Sequence, residues 1–374
     1  MRLTLFFTRG VSLQIWVQRG MFEREIAIYQ RLRQEGIEVG FVTYGDRRDL
    51  DLTSRMPGIK ILCNRWHLPL SRYQRWLHLL HAPWLWRSDM IKTNQTPGAD
   101  IALHTARFWR KPLIARCGYM WSEFVANKQG ADAQATHHAQ AIESQVFSAA
   151  QQVIVTTPMM ADDIKHRIPA AASRTVVIPN YVETDRFLPL NHAEYDFDLI
   201  FIGRLVLQKN VSSLLEAIAP LKARLIIIGS GELQEPLKQK FAHLSDRICW
   251  QGNVSNAELP SYLNRACLFI LPSYYEGHPK VLIEAMSCGM PVIGAKSPGI
   301  QELIQHGENG WLCNTDPESI RTAVEHLLAQ PDLRTKLGRN ARQFVLENFA
   351  LDEIVYKERA LYKKLLFFEH EQSN

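Results

Sequence analysis

The sequence predicts an α/β protein of two doubly wound domains facing a central cleft, and three observations carry that expectation. Short apolar runs alternate with helical patterns along the whole chain, as in repeated strand–helix units. A polar stretch rich in turn formers, 186–196, interrupts the alternation once, after which it resumes. The length, 374 residues, is large for one hydrophobic core and suits two.

The first series of strands is expected at 3–7, 39–43, 60–63, 90–93, 112–116, 153–156 and 175–178. Between the fifth and sixth, Ala135, Ala139, Ile142, Val146 and Ala149 are spaced four and three apart, which marks one apolar helix face. A second series follows the linker at 199–203, 225–229, 248–250, 268–271, 292–294 and 311–313. The chain ends in a long helical pattern carrying Ile354, Val355, Leu361 and Leu365. Domains are therefore placed at 1–185 and 197–351, with 186–196 as linker. In such sheets ligands bind beyond the carboxyl ends of the strands, so the strand-to-helix loops are the places to look.

Composition narrows the class. Hydrophobic residues make up 46% and charged residues 22%, the balance of a globular protein. The six cysteines are scattered, without metal-ligand spacing, and fit buried thiols in a reducing compartment. The opening Met1-Arg2-Leu3-Thr4-Leu5-Phe6-Phe7 is too short for a signal-peptide core, and no stretch approaches the length of a membrane span, so a cytoplasmic protein is expected. Charge is unevenly spread. Residues 1–190 hold 24 Lys and Arg against 16 Asp and Glu, whereas residues 191–374 hold 19 against 22. No nucleic-acid motif accompanies the basic half, and nucleic acid is not expected as a partner.

Two loops carry chemistry. Glu276-Gly277-His278-Pro279-Lys280-Val281 leads from a buried strand into a helix, and Pro279 suits the first helical turn. The free N–H groups and positive end of that helix suit a phosphate. Glu276 and Glu284, eight residues apart, flank the anion site and can accept hydrogen bonds from sugar hydroxyls. In the second loop, Gly203 ends a buried strand and two cations follow, Arg204 and Lys209, five residues apart. Together the two loops make a cradle for a diphosphate.

At these residues the chain resembles the retaining glycosyltransferases of family 4, which have the GT-B architecture of two Rossmann-like domains. The resemblance covers nearly the whole second half. It runs through Ile178-Pro179-Asn180, Gly203-Arg204 with Lys209, Ile228-Gly229-Ser230-Gly231, the pair Glu276 and Glu284, Cys288-Gly289-Met290-Pro291, and Gly307-Glu308-Asn309-Gly310. It implies that Glu284 binds ribose hydroxyls and that Glu276 binds the donor sugar. It further implies that Gly229 turns under the donor, that backbone from Gly277 through His278, Pro279 and Lys280 to Val281 holds the phosphates, and that Arg204 and Lys209 meet the charge of the leaving diphosphate. The catalytic residues on this reading are Arg204, Lys209 and Glu276. The 1–185 domain would bind the acceptor, with the helix at 352–370 packing back on it, and the 197–351 domain the donor.

The first half departs from that family. The usual glycine pair after the first strand is reduced to Gly10, and Leu113 to Tyr119 stands where many members carry a histidine. His104 falls on a helix, where a structural role is expected. By position at strand ends, Gly10, Asn94, Gln95, Arg116, Tyr119 and Thr156 are the candidates for the acceptor cleft. Asp49-Leu50-Asp51 matches a metal-binding pattern of another architecture but reads as a solvated turn, and His137-His138 as surface.

The expected reaction is retaining transfer from a nucleoside-diphosphate sugar, with UDP or GDP as carrier, to a hydroxyl of a glycan or lipid-linked saccharide in cell-surface polysaccharide or glycolipid synthesis. The nucleotide sugar is a co-substrate, and neither cofactor nor metal is expected. A sugar-nucleotide epimerase or a phosphorylase on the same architecture stays open, as does a catalytically inactive binding subunit. A dinucleotide-dependent oxidoreductase is disfavoured because no G-x-G-x-x-G follows an early strand. The segment from Arg65 to Leu80 joins tryptophans, leucines and arginines, as does Trp84 to Arg87. Either it packs on the sheet, or it places the protein against the anionic inner face of a membrane.

Overall fold

The computed structural model describes residues 1–190 and 195–372, so four positions of the expected linker, 191–194, lie outside the described residues. The chain divides into two compact units: Met1–Pro179 together with the chain from Ile354 onward, and Asn180–Glu353.

The first unit holds seven parallel strands: β1 (Arg2–Phe6), β2 (Glu38–Val42), β3 (Lys60–Leu62), β4 (Met90–Thr93), β5 (Leu113–Cys117), β6 (Gln152–Val155) and β7 (Thr175–Val177). Their spatial order is β3-β2-β1-β4-β5-β6-β7. The second unit holds six: β8 (Phe197–Ile202), β9 (Leu225–Ile228), β10 (Ile248–Gly252), β11 (Ala266–Leu271), β12 (Val292–Ala295) and β13 (Trp311–Cys313), in the order β10-β9-β8-β11-β12-β13. Both sheets are doubly wound. In each the chain first builds outward on one side, then returns and builds on the other.

Burial on both faces explains the strand sequences. Leu225-Ile226-Ile227-Ile228 and Ala266-Cys267-Leu268-Phe269-Ile270-Leu271 are buried throughout, without the alternation of a half-exposed sheet. The helices between them bury one stripe. Gln134–Ala149 turns Ala139, Val146 and Phe147 inward, with His137 and His138 exposed as expected. Side-chain caps fix several helix starts: Ser12 accepts from Ile15 N, Thr157 from Met160 N and Asp316 from Ser319 N.

Asp49 corrects the sequence reading. It is buried, not part of a solvated turn, and lies in a short 3₁₀ stretch, Arg47–Arg55. Its carboxylate accepts from Thr43 Oγ1 at 2.6 Å and from Gln14 N at 3.2 Å, which ties β2 to the start of helix Leu13–Gln18. Burial raises its pKa above the ordinary carboxylate range, and those hydrogen bonds oppose the rise. All six cysteines are free, five of them buried. Among the described residues no helix is long and apolar enough to cross a membrane.

One ion pair ties the final helix, Leu351–Gln372, to the first sheet. Lys92 Nζ on β4 lies 2.5 Å from both carboxylate oxygens of Glu358 and 3.0 Å from Tyr362 Oη, and the two charged side chains are 1% and 2% exposed. Tyr362 donates its hydroxyl to the same carboxylate. Burial pushes the Lys92 ammonium below its ordinary range while Glu358 pulls it back. Removing one partner of such a pair leaves the other charge desolvated. Lys92→Met should therefore cost about 3–5 kcal/mol in urea unfolding, whereas Lys92→Met with Glu358→Leu should recover most of the loss.

Candidate active site

The second sheet reverses its strand order between β8 and β11, which pair directly, Leu199 opposite Leu268. The strand that follows β8 lies on one side and the strand that follows β11 on the other, so the loops leaving these two strands border an open edge. That is where an α/β sheet of this winding takes its ligand. Every donor-side residue singled out in the sequence, apart from Gly229 on the neighbouring loop, belongs to one of the two loops or to the helix after the second.

The loop after β8 is held flat against the loop after β9. Gly203 N donates to Ile228 O and Leu205 N to Ser230 O, each at 2.9 Å. Gly229 has a φ of 131°, and a Cβ there would collide with the Gly203 carbonyl, so only glycine lets the two loops touch. Arg204 is exposed. Lys209 is turned inward, and its Nζ lies 2.5 Å from Glu276 Oε1, joining the two loops by an ion pair. One of its three N–H donors is thereby committed to the carboxylate.

Neighbours of Lys209 stitch the same seam. Gln208 Nε2 donates to Tyr275 O at 2.7 Å, and Tyr274 N donates to Gln208 O at 2.9 Å. Asn210, at a φ of 53°, donates from Nδ2 to Pro272 O at 3.2 Å and to Thr315 O at 2.7 Å. Asparagine tolerates this left-handed backbone, which lets the chain turn into helix Val211–Ile218. The sequence reading passed over both residues. A polar pair on either side of a lysine looks like solvated loop until its partners are known.

The loop after β11 enters helix Lys280–Ser287 with Pro279 as the residue before its first turn, one position earlier than the sequence suggested. Asn180 Nδ2 donates to His278 O at 2.7 Å, and the buried His278 ring packs edge-on to Phe349 at 5.1 Å. The Lys280 ammonium lies 5.8 Å from the centre of the Tyr181 ring, and Val281 packs on the core. Below the loop, Glu276 N donates to Pro298 O at 3.0 Å. Gly299, with a φ of 78°, brings its Cα against the Gly277 carbonyl, where a Cβ would collide. Glu284 is only 1% exposed, and its Oε1 accepts from Asn256 Nδ2 at 2.8 Å. Asn256 is held in turn by Arg186, which pairs with Glu183 at 2.6 Å. That relay was also absent from the sequence reading, since Arg186, Asn256 and Glu284 lie far apart in the chain.

The first unit gathers its candidates at the corresponding edge. Gly10 follows β1 at a φ of 76° with open space beside it. Asn94 and Gln95 follow β4 and are half-buried. Arg116 lies near the end of β5, its N–H donating to Thr93 Oγ1 at 2.9 Å. Tyr119 packs its ring on Phe124 at 4.5 Å. Thr156 is buried and donates to Gly118 O at 3.3 Å, so it supports this edge from beneath. Where the glycine pair is reduced, Arg9 bridges to Asp100 at 2.6 Å. His104 is exposed on helix Ala99–Trp109, against the His78 ring. Among the described residues no group of three His, Cys, Asp or Glu side chains is placed to hold a metal ion.

Two family models match consecutive stretches of the chain. Glycosyltransferase Family 4 matches residues 26–186, and Glycosyl transferases group 1 matches residues 183–344. Homology to these glycosyltransferases runs through both halves of the chain. The N-acetyl-alpha-D-glucosaminyl L-malate synthase of Bacillus anthracis is 34% identical over 176 residues, 45% of each chain. The chain spans about half the length of the first curated relatives it matches. Among solved structures, sucrose-phosphate synthase from Thermosynechococcus elongatus superposes with a TM-score of 0.82 at 22% identity, over 98% of this chain and 99% of that one. Anabaena HepE in complex with UDP-glucose gives 0.77 at 18%, over 97% and 100%. This glycosyltransferase homologue has the GT-B fold.

Gly299 and Gly307 share a φ of 78°, but only Gly299 has a neighbour in the way of a Cβ. Gly307→Ala should cost the torsional penalty alone, about 1 kcal/mol. Gly299→Ala should cost at least about 2 kcal/mol. Urea unfolding of the two variants side by side measures how tightly the Glu276 loop is seated.

Proposed function

We propose that this chain is a glycosyltransferase that moves a sugar from a nucleoside diphosphate to an acceptor hydroxyl with retention at the anomeric carbon. The observation that carries the reading is the meeting of Lys209 and Glu276, from the loops of two adjacent strands, at the reversal of strand order. The homology in both halves and the nucleotide sugar named for HepE support it.

On this reading the second unit binds the donor. The start of helix Lys280–Ser287 faces the diphosphate with backbone N–H groups, and Lys209 and Arg204 supply positive charge. As the bond from the anomeric carbon to the diphosphate lengthens, negative charge grows on the leaving oxygen, and these groups stabilise it. The acceptor oxygen bonds to the same face of the carbon, and its proton passes to the leaving phosphate. Glu276 receives a hydroxyl of the donor sugar while fixing Lys209, and Glu284 receives the ribose from beneath. The first unit binds the acceptor, a glycan or lipid-linked saccharide, through the edge lined by Gly10, Asn94, Gln95 and Arg116. No metal is required, because cations and N–H groups already meet the diphosphate.

The same protein works at the inner face of a membrane. On helix Leu70–Leu80 the residues Arg72, Arg75, Trp76 and Leu79 fall at i, i+3, i+4 and i+7, and all are exposed, Trp76 at 50% and Leu79 at 43%. Tyr73 and Leu77 take the buried side, so packing does not account for Trp76. Trp86, 61% exposed, and Arg87 extend the surface. Half-buried rings beside cations suit an anionic headgroup layer, at about 1 kcal/mol per basic residue.

Arg204→Ala and Lys209→Ala should each lower kcat by roughly 10²–10³, with no response of the wild type to EDTA. Turnover within a factor of three of wild type in both would remove the two cations from the mechanism. A thermal-shift panel of UDP-, GDP-, ADP- and CDP-sugars identifies the carrier. For the membrane, sedimentation with vesicles should require anionic lipid, weaken with salt and fall in Arg72→Glu/Arg75→Glu. Absence of co-sedimentation at low salt would make the acceptor a soluble one.

A further inference from the structure

Glu284 lies on the buried side of helix Lys280–Ser287 and is 1% exposed, where a carboxylate is costly unless donors meet it. Asn256 supplies one, its Nδ2 donating to Glu284 Oε1 at 2.8 Å. Asn256 is itself 1% exposed and belongs to the loop between β10 and helix Leu259–Asn264. That loop is shaped locally by Ser255 and Glu258, three residues apart, which close a turn on each other. Glu258 Oε2 accepts from Ser255 Oγ at 2.5 Å and from Ser255 N at 3.1 Å, and Glu258 N donates to Ser255 O at 3.0 Å. Asn256 is the second residue of this turn, so the backbone from which its side chain leaves is fixed.

The orientation of the amide is decided from its other end. Asn256 Oδ1 accepts from Arg186 Nη2. A guanidinium can only donate, so the atom that faces it must be the amide oxygen, and the NH₂ group must face Glu284. Arg186 is held in turn by Glu183, through the ion pair at 2.6 Å and through its own N–H to Glu183 O at 3.0 Å. Its guanidinium also covers the Phe187 ring, 5.2 Å from the centre. Only an amide serves both neighbours at position 256. A carboxylate there would face Glu284 with like charge, and an apolar side chain would offer neither neighbour a hydrogen bond. Lys209 meets the Glu276 carboxylate directly, whereas Arg186 reaches Glu284 through a neutral group, which fixes the carboxylate without an ion pair to Arg186.

We propose that Asn256 is a positioning residue for the nucleotide: it sets the Glu284 carboxylate to accept the ribose hydroxyls and so makes the site select ribonucleoside over 2′-deoxyribonucleoside carriers. The proposal rests on the transferase reading above, in which Glu284 receives the ribose, and adds the residue that makes this contact selective. Asn256 acts through Glu284, so its effect falls on donor binding rather than on the bond-breaking step.

Two measurements on the full chain test it. Calorimetric titration with UDP, GDP, ADP and CDP finds the carrier, and its 2′-deoxy counterpart should bind the wild type about 10-fold more weakly, since a hydroxyl bonded to a charged group is lost. In Asn256→Ala the ribonucleotide should weaken by a similar factor and the deoxynucleotide by much less, bringing the two within about threefold of each other. The donor KM should rise with the ribonucleotide dissociation constant, with kcat largely kept. A general loss of structure would weaken both ligands alike, so the change in their ratio isolates the contact. Asn256→Asp keeps the shape and gives the second readout. Two carboxylates so close share one proton, which restores a donor between them, so ribonucleotide affinity should be low at about pH 8 and recover toward about pH 5, where the wild type changes less. Cys288, four residues beyond Glu284, has its thiol pushed up to about 12, first by burial and then by the Glu284 charge, and stays protonated over that range. Equal binding of ribo- and deoxynucleotide by the wild type, or an unchanged ratio in Asn256→Ala, or no recovery of Asn256→Asp in acid, would overturn the proposal. Failure of the wild type to bind any of the four nucleotides would overturn the transferase reading, and this inference with it.

Discussion

A parallel sheet that is wound first to one side and then to the other has one place where no crossover connection covers its carboxyl edge. In the second unit that place is between β8 and β11, and the loops that leave these strands have no secondary structure to hold them together. The chain closes the gap with side chains. Gln208 reaches Tyr275 O, Asn210 reaches Pro272 O and Thr315 O, and Lys209 reaches Glu276. Each of these bonds satisfies a group that the sheet itself leaves without a partner, and their sum fixes two loops that would otherwise move independently. The geometry proposed to do chemistry is the geometry needed to close the sheet.

The first unit meets the same constraint between β1 and β4 with a different set of interactions. Its reversal is bordered by Arg9 on Asp100 and Gln95 on Gly118, and beneath it lies an ion pair whose carboxylate comes from the last helix of the chain. Glu358 is 266 residues from Lys92. Burying both charges costs several kcal/mol of desolvation, which their contact and the Tyr362 hydroxyl offset only in this arrangement. The pair therefore specifies where the last helix docks more than it adds to stability.

Legibility from sequence followed the range of the interactions. Strands such as Leu225–Ile228 could be read because burial on both faces forces an unbroken apolar run, and the loops carrying Gly203, Arg204 and Lys209 and carrying Glu276 could be placed at strand ends because each follows such a run. Asp49 was misread for the opposite reason. Its partners, Thr43 and Gln14, come from two other elements, and nothing local distinguishes a buried carboxylate with donors from a solvated one. The relay from Glu183 through Arg186 and Asn256 to Glu284 joins residues up to 101 apart in sequence, and only its first step, Glu183 to Arg186, is local. Trp76 was open between core and surface, because helical spacing places it one position from the buried Leu77, and only the packed neighbours decide which of the two turns outward.

The two cations of the loop after β8 differ in a way that bears on the charge stabilisation proposed for them. Lys209 is buried against Glu276, so its position is set before any ligand arrives and little reorganisation is left for the reaction itself. Its field is partly cancelled by the carboxylate that holds it. Arg204 is exposed; in the proposed role it pays rotamer entropy when a diphosphate orders it, and brings an undivided charge in a planar fork that matches phosphate oxygens. A fixed but half-neutralised charge and a mobile but full one are complementary. On the proposed mechanism the first defines where the diphosphate sits, and the second adds most where the bond has lengthened and the leaving oxygen is most negative. That division follows from the side of the loop on which each side chain emerges, five residues apart across one 3₁₀ turn, Leu207–Lys209.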